Sequence, residues 1–170
     1  MNEKIAMVSA SDRFRDNPYI QVKSNRPGWI TLAVSPALES KDEVTRCFRP
    51  HLEDLPEGLA DALLLALGEL VANAMEHGCG LEPTRCVNVS LIRTERMIFL
   101  YVRDDGNGFS IGSLSHAAVN NPPDNPLHHT ELRSEMGLRP GGFGIMLAKK
   151  VADELEYNEQ GNAVVLIKYL

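Results

Sequence analysis

The sequence predicts an α/β two-layer sandwich, α+β in its element order, with a mixed, mostly antiparallel sheet and helices packed on one face. Two observations carry this. Strand-like runs come in hairpin pairs, Val87–Leu91 with Met97–Val102 and a second pair turning near Gly161–Asn162 into Val164–Tyr169. The intervening helical stretches are amphipathic: at about 100° per residue, Leu59, Leu63, Ala66, Leu67, Leu70 and Ala74 fall within an arc of roughly 100°. A helix with one apolar stripe needs one opposing layer, and a sheet with one apolar face supplies it.

Residues 1–26 are polar and without period, so they are expected to form a tail or an edge element, and the domain proper is expected over 27–170. Trp29–Val34 is bulky and β-branched and stops at Ser35-Pro36, which reads as a strand and turn. Pro36 suits a first helical turn, and Leu38, Val44, Cys47 and Phe48 loosely share a face of a helix ending near Pro50. Asp54 and Pro56 are expected to open the next helix, which closes at Gly78. The first hairpin turns across Thr94–Arg96 and runs directly into Asp104. Residues 109–140 hold Asn120-Asn121-Pro122-Pro123, Asn125-Pro126 and several serines without a sustained period, and so long a stretch inside a compact domain suggests a lid. A helix from about Gly144 to Asp153 leads to the last hairpin.

The bulk composition narrows the function classes. At 170 residues the chain has room for one well-buried core. Its 44% hydrophobic and 24% charged residues are ordinary for a globular domain. The longest apolar stretch, near Leu59–Ala74, is broken by Asp61, Gly68, Glu69 and Asn73, so no membrane span is expected. The N-terminus lacks a signal-peptide apolar block, and a cytoplasmic location is expected. Three cysteines without CxxC spacing fit reduced thiols. A formal net charge of −6 gives no long-range attraction to nucleic acid.

Three elements carry chemistry. Glu69, Asn73 and His77 are spaced i, i+4, i+8 and stand one above another on a helix, beside the apolar stripe. At the border of a core such groups need partners, which a metal ion and phosphates would supply: Asn73 offers a carbonyl oxygen to magnesium, and Glu69 is placed to deprotonate a nucleophile. The blander alternative is a solvated Glu69, a backbone-bonded Asn73 and a His77 that caps the helix. Next, Asp104-Asp105-Gly106-Asn107-Gly108 ends an apolar strand, where a carboxylate can accept a hydrogen bond from a base amine while glycines let the backbone approach a ligand. An ordinary Asp/Gly turn is the alternative. Finally, Gly141-Gly142-Phe143-Gly144 opens a helix whose free amides and positive dipole end suit phosphate, unless glycine serves only the turn.

In this order the three elements resemble the GHKL ATPase superfamily of gyrase, histidine kinases and MutL. Glu69, Asn73 and His77 of ELVANAMEH match its N box. Asp104, Gly106 and Gly108 match the DxGxG box, and Gly142 and Gly144 match the GxG of the second glycine box, with a lid between. Within the superfamily the chain looks most like the stand-alone bacterial anti-sigma-factor serine/threonine kinases, on ALGELVANAMEHG, VRDDGNGF, GFGIMLAKKVADELEY and VVLIKYL. Two departures stand out: Asn162 follows the glycine of the last hairpin where the family often has threonine, and the second glycine box reads GGFGI rather than GMGF.

The resemblance implies a Bergerat ATP-binding fold from about Trp29 onward, with ATP and Mg2+ as cofactors. It implies Asn73 as the magnesium ligand, Glu69 as the general base, Asp104 as the adenine reader, Gly106, Gly108 and His77 as nucleotide contacts, and Gly142 and Gly144 as the phosphate loop. It further implies serine phosphorylation of a STAS-type anti-sigma-factor antagonist, a sigma factor as second partner, and a homodimer. A domain without its own dimerisation helix or acceptor histidine does not match a complete sensor kinase. The rival from another class is an ATP-gated binding module that transfers nothing. No GxxxxGK[ST], HRD or DFG motif is present. Adjacent His128 and His129 read as solvated loop residues rather than metal ligands, and Arg103, Arg133 and Arg139, although suited to phosphate, are not assigned to the site.

Overall fold

A computed structural model describes residues 16–138 and 141–170. Residues 1–15 of the expected tail, and Arg139 and Pro140 of the expected lid, lie outside them. Six strands, β1 (Ile20–Arg26), β2 (Trp29–Val34), β3 (Val87–Arg93), β4 (Met97–Asp104), β5 (Glu154–Tyr157) and β6 (Ala163–Tyr169), form one sheet in the order β1-β2-β3-β4-β6-β5. Each neighbouring pair is antiparallel, the antiparallel limit of the sheet expected.

Alternation sets the register. Leu32, Val89, Val102 and Val164 stand opposite one another across four strands and are all buried, while Thr31, Ser90 and Tyr101 point to the other, half-exposed face. Slipping a strand by one residue would exchange these sets, so the pattern fixes the pairing. Residues 20–26, from the segment read as tail or edge, form the edge strand, anchored by buried Ile20.

Helices α1 (Ser40–Phe48), α2 (Leu59–Asn73), α3 (His128–Glu135) and α4 (Gly144–Val151) complete the architecture. Central α2 packs against both α1 and α4. That is why Leu64, Val71 and Ala72 are buried along with the expected stripe, leaving Leu65 exposed. Truncating a buried residue such as Leu67 to alanine costs about 2–5 kcal/mol in comparable cores. After Asn73 the helix widens into one π turn, Ala74–Gly78, closed by Cys79 N–H donating to the Ala74 carbonyl at 2.8 Å.

Several boundaries differ from expectation for identifiable reasons. Helix α2 starts at Leu59, behind Gly58 in the left-handed region (φ 79°), and Asp54 is no cap. The Arg93 guanidinium bonds both Asp54 oxygens instead, in a charge-assisted fork. Helix α1 starts at Ser40 rather than Pro36, because Ser40 Oγ donates to the Ser35 carbonyl in the preceding turn. Leu38 therefore falls off the buried face and is 38% exposed. Helix α4 ends at Val151, since the Asp153 carboxylate accepts from Lys168 Nζ and Tyr169 N–H and starts the strand layer.

The expected lid is more ordered than its composition suggests. Two short 3-10 turns, Ile111–Ser113 and Ala118–Asn120, precede α3. Leu114 and Ala117 pack with Ile145 of α4 in a small second cluster. His129, expected to be solvated, is instead fully buried on α3, its ring edge-on to Phe143 at 4.4 Å between centroids. Asn121 holds it from both sides, accepting from its backbone N–H and bonding its Nδ1 at 2.7 Å. Burial, aided by nearby Arg133, holds the His129 pKa below its usual value.

Candidate nucleotide-binding site

Helix α2 and the lid enclose one cleft. Glu69 and Asn73, one α-helical turn apart, line it together with His77, His116, Arg133, Gly142 and Gly144. Glu69 stands directly against the start of α4: a Cβ placed on Gly144 would lie 2.7 Å from Glu69 Cβ and 3.1 Å from its Oε2. The other oxygen, Oε1, accepts from Lys41 Nζ at 2.9 Å. His77 belongs to the π turn, which rotates it out of the regular stack. Its ring meets those of Phe109 and His116 in the lid, with centroids 5.8 and 5.5 Å away.

The first glycine loop folds tightly on the end of α2. Asp104 is 2% exposed, and its Oδ1 accepts the Gly106 N–H at 2.9 Å. Burial raises its pKa, with Asp105 adding to the effect, while the hydrogen bond from Gly106 and the charge of Arg85 oppose it. Gly106 and Gly108 are required sterically. A Cβ on Gly106 would meet the Gly78 carbonyl oxygen at 1.9 Å, and one on Gly108 (φ 76°) the Gln160 carbonyl oxygen at 2.0 Å. Asp105 faces away from the core and accepts from Cys86 N–H. Asn162, the departure from threonine, braces this corner: its carbonyl accepts from Asp104 N–H at 3.0 Å, and its Oδ1 accepts from Asn158 Nδ2 at 2.7 Å.

Gly142 (φ 89°) carries the second loop beneath the lid. A Cβ there would strike the His116 carbonyl oxygen at 2.6 Å, and the Gly142 carbonyl accepts from Ala118 N–H at 2.7 Å. The N-terminus of α4 has no side-chain cap and no acidic residue in its first turn. A helix N-terminus of this kind suits an anion.

These residues fit magnesium-ATP. A buried carboxylate at a strand end, an amide carbonyl and a carboxylate on one helix edge, and an uncapped helix N-terminus match a base amine, a divalent cation and phosphates respectively. The space is tight, however. The cleft between α2 and the lid leaves a cavity of about 20 Å³, on the scale of a single water molecule, and a second beside Asp104 and Phe109 leaves about 10 Å³. As residues 109–138 stand, that space does not hold a nucleotide.

Sequence reasoning singled out neither Lys41 nor His116, and it weighed Arg133 without assigning it. Arg133 lies in the cleft at 7% exposure. Arg103 lies on the exposed face of the sheet, away from the cleft. A signal for Lys41 was absent, because its partner Glu69 is 28 residues away on another helix.

A sheet of this order with its helical layer, an acidic and amide edge on the central helix, and two glycine loops flanking a lid is the arrangement of a histidine kinase-like ATPase domain. The chain belongs to that family, whose pattern matches residues 34–168. It is 32% identical over 124 residues to an anti-sigma F factor of Bacillus cytotoxicus, covering 71% of this chain and 73% of that protein. It is 25% identical over 109 residues to the serine-protein kinase RsbW of Oceanobacillus iheyensis, covering 64% of each chain. The superfamily that the sequence motifs resemble is thus the family of the chain.

Proposed function

We propose that this domain binds magnesium-ATP, transfers the γ-phosphate to a serine of an anti-sigma-factor antagonist, and holds a sigma factor as its second partner. The observation that carries the reading is the placement of Glu69 Oε2 against Gly144, where a carboxylate meets the helix end suited to the phosphates. The serine oxygen attacks the γ-phosphorus as its proton passes to Glu69, the bond to ADP breaks, and the protonated carboxyl returns the proton to solvent. Asn73 Oδ1 is the ligand this chain offers to magnesium, which neutralises phosphate charge when bound. Asp104 accepts the adenine amine. Arg133, buried in the cleft, adds a cation at the phosphate end.

The likeness to a serine-protein kinase and an anti-sigma F factor supports the kinase reading and the choice of partners. The net charge of −6 favours protein partners over nucleic acid. The reading includes a homodimer, and its candidate face is the row on the sheet face away from the helices where Trp29, Ile92, Phe99 and Ile167 stand opposite one another in register. Among the described residues no helix is long and apolar enough to cross a membrane, and the reading takes a cytoplasmic location from the family resemblance. The test is incubation of the purified protein with magnesium and γ-labelled ATP and each antagonist encoded beside it. Label on an antagonist serine is expected. No label on any of them would leave an ATP-gated binding module as the better account.

A further inference from the structure

We propose that Lys41 is a positioning residue for the reaction, dividing the two oxygens of Glu69 between a structural and a chemical task. The inference rests on the reading of Glu69 as general base. Lys41 lies in the first turn of α1 and reaches across to α2, where its Nζ bonds Glu69 Oε1 at 2.9 Å. The remaining oxygen, Oε2, is the one turned toward Gly144 and the start of α4. The ammonium thereby fixes the rotation of the carboxylate and leaves the oxygen that faces the phosphate loop to take the serine proton.

A second feature of α2 serves the same contact. Gly68 precedes the base, and a Cβ there would stand 3.2 Å from Lys41 Cε and 3.6 Å from its Cγ. Glycine in a helix interior is unfavourable by propensity, so its presence beside the base calls for a packing reason. Here it gives the lysine stem a track across the helix. The contact does little for the fold, because the two side chains keep 27% and 20% of their surface exposed and such pairs contribute little to stability. A carboxylate free to rotate, by contrast, places its basic oxygen in line for only part of the time, and small misplacements of reacting groups carry large rate penalties.

The test combines Lys41→Met and Glu69→Gln, singly and together, in single-turnover transfer to the antagonist, with ATP affinity measured by calorimetry. Lys41→Met is expected to bind ATP within about twofold of the parent while transferring phosphate about 10-fold more slowly, in the range for a misplaced catalytic group. In the Glu69→Gln background it is expected to change the rate no further. A readout independent of turnover is the 13C resonance of the Glu69 carboxyl in the ligand-free protein, assigned by its loss in Glu69→Gln. It is expected to shift in Lys41→Met. An unshifted resonance, a parental rate in Lys41→Met, or an equal loss on both backgrounds overturns the positioning role while leaving the base reading intact. A Glu69→Gln protein as fast as the parent, or a parent that transfers nothing, removes the base reading and the positioning role together.

Discussion

The Asp104 carboxyl fills the space that a side chain on Gly78 would need: a Cβ at Gly78 would lie 2.2 Å from Asp104 Cγ. The end of the central helix and the first glycine loop are therefore built as one unit, and the π turn from Ala74 to Gly78 brings them together. Gly78→Ala should push the loop off the helix. Overpacking of this kind typically costs about 1–3 kcal/mol. A lowered Tm with weakened ATP binding is expected, and an unchanged Tm would mean that the two segments are less tightly joined than described.

Asp104→Asn should separate stability from recognition. Burial raises the Asp104 pKa above its ordinary value, so between the unfolded and folded pKa values the native state binds more protons than the unfolded chain. Stability is then lost as pH rises through that window. The asparagine variant escapes this loss. Its Tm relative to the parent should increase as pH is raised above the ordinary aspartate range. In the same variant ATP should bind about one to two decades more weakly while GTP changes little, since a hydrogen bond to a charged group is worth about 1.5–3 kcal/mol. Equal weakening of both nucleotides in calorimetry would remove the adenine-reading role.

Asn73→Ala tests the metal. Asn73 is half-buried on the cleft edge of α2, so the truncation leaves the core untouched. Magnesium-dependent ATP affinity should disappear with the far-ultraviolet circular dichroism unchanged. Retained dependence on magnesium would place the ion elsewhere.

On the proposed reading, residues 109–138 open to admit nucleotide, since they leave about 20 Å³ against α2. Amide exchange across residues 109–138 should therefore report this opening in the free protein and slow when magnesium-ATP holds the lid down. Exchange that is equally fast with and without nucleotide would contradict a lid role for this segment.

Much of this architecture was legible from periodicity. The alternation of β3 and the apolar run of β4 located the first hairpin, and the stripe from Leu59 to Ala74 located the central helix. The helix start was misplaced because Asp54 has the chemistry of a cap but is taken by Arg93, a partner 39 residues away. Helix α3 left no apolar trace, since the side chains it buries are His129 and Arg133. At the cleft, the i, i+4 spacing put Glu69 and Asn73 on one helix edge, and the glycines marked both loops. His116 and Arg133 line the cleft, and Lys41 reaches Glu69, through tertiary packing that spacing along the chain does not encode.

The central claim is that Glu69 takes the proton of the attacking serine, and its neutral isostere tests it most directly. Glu69→Gln keeps the shape of the side chain and loses its basicity, so ATP and the antagonist should bind almost as before. Single-turnover transfer should slow by about 100-fold or more, within the range for loss of a general base. Equal, measurable rates for the parent and Glu69→Gln would contradict the account.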